Sequence, residues 1–181
     1  MNVMSKKVLI ISSSPRKGGN TDLLCDEFRR GAEAAGHQVE KVYLKEKTIH
    51  YCTGCGTCYS GNGCPQKDDM PEILDKMIAA DVIVLASPIY FYTMCGQLKT
   101  MIDRCCSRYN DITSKDFYYI FAAADSMPDA TERAIGEFRG FLYCLDNSHE
   151  RGIISALGVM DKGDVEGKNY IGEAFEMGRG V

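Results

Sequence analysis

The apolar run Val8-Leu9-Ile10-Ile11 passes directly into Ser12-Ser13-Ser14-Pro15-Arg16-Lys17-Gly18-Gly19-Asn20-Thr21, and a helical pattern begins near Asp22. A strand, a tight polar loop and a helix N-terminus in succession form an anion site, because free backbone N–H groups and the positive end of the helix dipole converge on the loop. Ser12, Ser14 and Thr21 add hydroxyl donors, and Arg16 and Lys17 add charge. The loop contains neither G-x-G-x-x-G nor G-x-x-x-x-G-K-[ST], so it is neither a dinucleotide fingerprint nor a Walker loop. A hydroxyl-rich loop suits a terminal phosphate monoester, which needs many donors around one tetrahedral group. The alternative is an ordinary strand-to-helix turn capped by Asn20.

The same alternation continues along the chain. Residues 21–35 read as a helix with Leu23, Leu24, Phe28 and Ala32 on one face, ended by Gly36. Val39, Val42 and Leu44 suggest a second strand. Pro71 opens a helix running to about Ala80, and Val82–Ala86 reads as a central parallel strand covered on both faces. Residues 95–108 read as a helix and Phe117–Ala124 as the fourth strand. Asp129 and Glu132 have capping-box spacing before a helix to about Leu145. Gly152–Val159 is the fifth strand and Tyr170–Met177 the last helix. Five strands alternating with five helices predict one α/β domain over residues 1–181. The expected architecture is a flavodoxin-like, doubly wound parallel sheet of order 2-1-3-4-5, with a Cys-rich insertion after strand 2. Its ligand site falls where the loops after strands 1 and 3 meet.

That second loop is Ser87-Pro88-Ile89-Tyr90-Phe91-Tyr92-Thr93. Three consecutive aromatics, in a chain held open by Pro88, offer a flat heteroaromatic ring an apolar face and backbone groups along its edge. The competing account is that they cover the end of the core or an interface.

Residues 48–69 stand apart. Cys52, Cys55, Cys58 and Cys64 read C-x2-C-x2-C-x5-C before Pro65, with Gly54, Gly56, Gly61 and Gly63 between them. Three cysteines at two-residue gaps wrap one metal centre. The spacing favours [4Fe–4S] over zinc, which usually joins two separated C-x2-C pairs. A loop of free or reversibly paired thiols is the other reading. Placed after strand 2, the segment is expected on the ligand side of the sheet. Cys25, Cys105, Cys106 and Cys144 read as small buried residues on helices, and Cys95 as a thiol close to the aromatic loop.

Nine cysteines with no secretion signal in Met1–Lys7 indicate a reducing compartment, the cytoplasm. A net charge of -4 argues against nucleic-acid or membrane-surface binding. No apolar stretch approaches a membrane span. His37, His50 and His149 have no triad spacing with a nucleophile and read as structural or surface residues.

Together, Ser12–Thr21, Cys52–Cys64, Asp68-Asp69-Met70, Ser87–Tyr92, Gln97-Leu98-Lys99 and Ile102-Asp103-Arg104 resemble the NAD(P)H-dependent FMN reductase-like flavoproteins of flavodoxin fold. They are most similar to the iron–sulfur flavoprotein branch. The resemblance continues weakly through Lys162-Gly163-Asp164. It implies FMN, with Ser12, Ser14, Arg16, Asn20 and Thr21 on the phosphate in the loop that also carries Pro15, Lys17 and Gly19. Pro88, Ile89, Tyr90, Phe91, Tyr92 and Thr93 would line the isoalloxazine ring. Cys52, Cys55, Cys58 and Cys64 would ligate [4Fe–4S]. A homodimer or dimer of dimers is implied, with flavin near an interface. The loop Ala122–Ser126 departs from the family by lacking glycines, which sets Asp125 either near the flavin or toward solvent. The expected activity is electron transfer between reduced ferredoxin or NAD(P)H and an acceptor. The alternatives are a cluster-free NAD(P)H-dependent reductase, a non-catalytic carrier, and a zinc-stapled interaction domain.

Overall fold

The protein is described from a computed structural model, over residues 4–181. Met1–Val3, part of the segment read as lacking a secretion signal, lie outside the described residues. The strands are β1 (Lys7–Ser12), β2 (Gln38–Tyr43), β3 (Val82–Tyr90), β4 (Thr93–Met94), β5 (Asp116–Ala122) and β6 (His149–Ala156). The helices are α1 (Asn20–Ala34), α2 (Met70–Ala79), α3 (Gly96–Arg104), α4 (Glu132–Tyr143) and α5 (Tyr170–Arg179).

The sheet order is β2-β1-β3-β5-β6, all parallel, with β4 paired antiparallel to β3. The five expected strands therefore lie in the expected sequence. The sixth, β4, escaped notice because two residues carry no periodic signal. No helix of the described chain is long and apolar enough to cross a membrane.

Period-two alternation builds a core on each face. Val8, Ile10, Val82, Val84 and Ile120 join Phe28 and Ala32 of α1 and Ala174 of α5. Leu9, Ile11, Ile83, Leu85 and Tyr119 join Ile73 of α2, Leu98 of α3 and Phe138 of α4. Strands buried on both faces must be apolar throughout, as Val82–Ala86 is. The register sets Ser12 beside Ala86 and Pro88 beside Ala122, so the C-terminal ends of β1, β3 and β5 are adjacent.

Three local expectations change. Gly19, not Asn20, is the N-cap of α1. Thr131 precedes α4, without a side-chain cap, so Asp129 and Glu132 do not form a capping box. The helix read over 95–108 ends at Arg104 and gives way to 3₁₀ turns at Cys105–Ser107 and Tyr109–Asp111. There the run Cys105-Cys106-Ser107 supplies no strong helix former.

Candidate functional site

β1 ends by handing Ser13 to β3: its N–H and hydroxyl both donate to Ala86 O, at 3.0 and 2.6 Å. The loop then tightens. Ser14 Oγ donates to Arg16 O at 3.1 Å and accepts from Arg16 N, and Gly19 N donates to Arg16 O at 2.9 Å. Gly18 takes φ +66°, a left-handed conformation that favours glycine. A Cβ on Gly19 would stand 2.9 Å from Arg16 O, so the turn leaves no room for a side chain. Among the described residues nothing accepts from the N–H groups of Asn20 and Thr21 or from the Thr21 hydroxyl. These donors lie in the first turn of α1, where free N–H groups can receive an anion.

The other polar groups of the loop are engaged within the chain. Asp22, buried beneath it, accepts from Ser12 Oγ at 3.2 Å and from Gly18 N at 2.8 Å, and pairs with Lys41 at 2.5 Å. Asn20 donates from Nδ2 to Asp161 O at 2.9 Å and accepts from Gly163 N at 3.1 Å, while Arg16 Nη2 donates to Met160 O at 3.1 Å. The segment after β6 is thereby fastened over the loop. The end of the Lys162 side chain lies beside Gly18, where a Cβ would approach its Cε to 3.1 Å. Lys17 is exposed and pairs with Glu46. Asp22 was not singled out from sequence, and Lys162 entered there only within the weak resemblance at Lys162-Gly163-Asp164, with no role at this loop.

The aromatic segment is a hairpin rather than an open loop. β3 continues through Pro88, Ile89 and Tyr90, pairing Ile89 with Met94 and Tyr90 with Thr93. Phe91 and Tyr92 form its two-residue turn at φ +51° and +65°. Two-residue hairpins require positive φ, normally supplied by Asn or Gly, and an aromatic there costs roughly 1–2 kcal/mol. Burial does not offset that cost at Phe91, which is 98% exposed. Strain of this kind gathers at functional sites. Tyr92 is anchored: its OH donates to Asp125 Oδ2 at 2.8 Å, and Arg133 lies 5.7 Å from its ring centre. Asp125 is therefore engaged rather than free in solvent. The Met127 N–H, then the Tyr92 hydroxyl, hold its carboxyl below the usual carboxylate range. Thr93 Oγ1 donates to Tyr90 O at 3.2 Å, closing the turn.

A buried polar cluster ties the two elements together. Cys95 N donates to Ser87 Oγ at 2.9 Å, and Cys95 Sγ lies 3.1 Å from Ser13 Oγ. Cys95 is buried beneath both loops, where it braces them and presents no surface.

Cys52, Cys55, Cys58 and Cys64 all line one cavity of about 70 Å³, together with Cys106. The backbone wraps that space because Gly54, Gly56, Gly61 and Gly63 take φ between +65° and +79°. Gly54 N donates to Cys52 Sγ at 3.5 Å. The Cys55 thiol is lowered, chiefly by its hydrogen bond with Thr57. The Cys58 thiol is raised by partial burial and by Cys106.

The loop is clamped at its roots. Arg104 Nη1 donates to Asp68 Oδ2 at 2.6 Å and to His50 O at 2.7 Å, and both partners of this ion pair are sealed from solvent. Arg104 Nε, near Cys64, is buried with no hydrogen-bond partner among the described residues. Sequence reasoning missed Cys106, expected to be simply buried, and the Asp68–Arg104 clamp, whose members lie 36 positions apart. Cys144 is exposed rather than buried, whereas Cys25 and Cys105 are buried as expected.

The cysteine cavity lies beside the C-terminal end of α3, where Cys106 follows two residues after Arg104. Among the described residues no three His, Cys, Asp or Glu side chains are grouped to hold a single metal ion. Zinc needs its ligands on one point. A cubane cluster binds each thiolate through a different iron, so its sulfurs stand around a space. Four thiols lining one cavity are the donor chemistry such a cluster takes.

Comparison with known proteins bears on the same elements. An iron-sulfur flavoprotein of Archaeoglobus fulgidus is 44% identical over 98 residues, 54% of this chain and 44% of that protein. An iron-sulfur flavoprotein of Methanocaldococcus jannaschii is also 44% identical over 98 residues, 54% of this chain and 51% of its own length. The chain thus spans about half the length of the curated relatives it matches. Among solved structures, a flavone reductase superposes with a TM-score of 0.75 at 21% identity, covering 97% of this chain and 61% of that one, a likeness of fold. The family model for NADPH-dependent FMN reductases matches residues 6–136, from β1 through the hairpin into α4, and the chain belongs to that family.

Proposed function

We propose that the protein is an FMN-dependent oxidoreductase in which FMN works with a [4Fe–4S] cluster held by Cys52, Cys55, Cys58 and Cys64. One observation carries the flavin half: an anion loop with unused donors and a strained aromatic hairpin sit side by side at adjacent strand ends. The four thiols around one cavity, and the names of the two relatives, support the cluster half.

In this reading the first-turn N–H groups, the Thr21 hydroxyl, Arg16 and Lys162 hold the terminal phosphate. Ser12, Ser14 and Asn20 shape the loop through the bonds they already make, with Pro15, Lys17 and Gly19 completing the turn. Pro88, Ile89, Tyr90, Phe91, Tyr92 and Thr93 line the ring, and Asp125 fixes Tyr92. Bound FMN supplies two-electron and one-electron chemistry, and the cluster one-electron transfer. The chain binds, orients and excludes water; no side-chain acid or base is required of it. Arg104 brings a buried positive charge beside Cys64.

NAD(P)H or reduced ferredoxin is the proposed donor, and the cytoplasm the proposed compartment. The 98% exposed Phe91 at the hairpin tip supports a homodimer or dimer of dimers with flavin near the interface. One domain over residues 1–181, with the cysteine segment as an insertion, carries both centres.

A titration tests the flavin half. FMN is expected to bind at least about tenfold more tightly than riboflavin, because only FMN engages the anion loop. Gly19→Ala is expected to erase most of that difference while leaving far-UV circular dichroism unchanged. Equal affinity for the two flavins in the unaltered protein would overturn the assignment of the loop.

A further inference from the structure

Five cysteines, not four, face the cavity, and the fifth belongs to another part of the chain. Cys106 sits on the 3₁₀ turn Cys105–Ser107, packed against the turn Thr57–Ser60 that carries Cys58. Their Sγ atoms are 3.9 Å apart, the one sulfur–sulfur hydrogen bond among the described residues. Cys105, the adjacent residue, points the opposite way. Its thiol is buried, bonded to Met101 O at 3.4 Å, and pushed by burial to about 12.

The two sides of the pair differ in freedom. Cys106 stands on a base fixed by buried Cys105 and by the Arg104–Asp68 clamp. Cys58 stands on a turn bracketed by Gly56 and Gly61, at φ +74° and +79°, with no atom closer than 3.8 Å to either position's missing Cβ. A disulfide needs the sulfurs about 2 Å closer than they are, and this turn can supply the movement.

We propose that Cys58 and Cys106 are a reversible oxidation site, forming a disulfide that fastens the cysteine loop to the end of α3 whenever no metal occupies the cavity. The oxidant is a low-molecular-weight disulfide. One thiolate of the pair attacks it and expels a first small thiol, leaving a mixed disulfide. The second thiolate attacks that bond and expels a second small thiol. Two S–H bonds are lost, one S–S bond forms, and the electrons reside in the two thiols released. Resting on the cluster reading given above, the inference adds that this bond and the cluster exclude one another, because both need Cys58.

The full chain, prepared free of iron, would be incubated anaerobically with oxidised glutathione, alkylated and mapped by mass spectrometry. A cross-link between residues 58 and 106 is expected, with Cys105 untouched. The oxidised protein is expected to take up little iron when supplied with ferrous iron and sulfide until dithiothreitol is added. Cys106→Ser is expected to give no cross-link to residues 105–108 and to take up iron without prior reduction. Cross-links confined to Cys52, Cys55, Cys58 and Cys64 in the unaltered protein would overturn the proposal. So would equally fast disulfide formation at Cys58 in Cys106→Ala, a second variant that places no hydroxyl beside the thiols. A 58–106 cross-link in a protein that takes up no iron after reduction would uphold the pair and sink the cluster reading.

Discussion

Asp68→Ala is expected to destabilise the fold by about 3–5 kcal/mol, read as a drop in the urea midpoint with an unchanged slope. The carboxylate is 0% exposed and holds Arg104, 1% exposed, through two guanidinium nitrogens at 2.6 and 3.2 Å. It also accepts the N–H groups of His50 and Met70, at 3.0 and 3.1 Å. Removing it leaves a guanidinium buried and uncompensated, and frees both ends of the cysteine loop at once. Truncation of a buried pair costs far more than an exposed pair contributes, because the remaining charge cannot reach water. The pH dependence follows. Burial alone would raise the Asp68 carboxyl, but hydrogen bonds from Arg104, His50 and Met70 overcome it and bring it down to about 2 from an ordinary 3.8. The folded form is the stronger acid, so this stabilisation is fully present above pH 3.8 and is lost as pH falls toward 2. It is worth about 2 kcal/mol. Acid titration of stability should therefore be shallower over that interval in Asp68→Asn than in the unaltered chain. An Asp68→Ala protein as stable as the original would show that the clamp carries nothing.

The second large effect lies where α1 packs on α5. α1 and α5 cross with their backbones in near contact, through one glycine from each helix. A Cβ on Gly31 would sit 2.0 Å from Phe175 O, and one on Gly178 would sit 2.0 Å from Phe28 O. The obstacle is backbone in both cases, so no rotamer change relieves it and the helices must separate. Gly31→Ala and Gly178→Ala are each expected to cost about 3 kcal/mol, the upper range of overpacking, despite the better helix propensity of alanine. The double variant should cost clearly less than the sum, since both substitutions act through one interhelix distance. Gly172→Ala, in α5 with open space at its Cβ, is the control and should stabilise by about 0.5–1 kcal/mol. Additive losses, or a neutral Gly31→Ala, would mean that the helices do not meet as described.

Much of this architecture was readable because its cause is local. Val8–Ile11 and Val82–Ala86 are apolar throughout, which only two-sided burial explains, and the loop after β1 announces an anion site in its own residues. What stayed hidden depends on partners distant in sequence. Asn20 looked like a cap, yet its amide reaches Asp161 and Gly163. Ser12 looked like a free phosphate donor, yet it serves Asp22. Cys106 looked like core, and only the packing of two 3₁₀ turns turns it toward the other thiols. The hairpin escaped notice for a different reason: its turn uses Phe91 and Tyr92 where Asn-Gly would be the legible signal. Local preference and final conformation disagree there, which is how a site departs from good folding rules.

The most direct test of the account is an absorption spectrum of protein purified without oxygen, with iron, acid-labile sulfide and flavin assayed on the same sample. FMN bands over a broad iron–sulfur shoulder, with about four irons per chain, is the expected result. Cys52→Ser should then lose the shoulder and keep the FMN. Flavin with no iron, even after anaerobic reconstitution of fully reduced protein, would contradict the cluster and leave a plain FMN reductase. A protein that neither carries FMN nor takes it up would contradict the whole account.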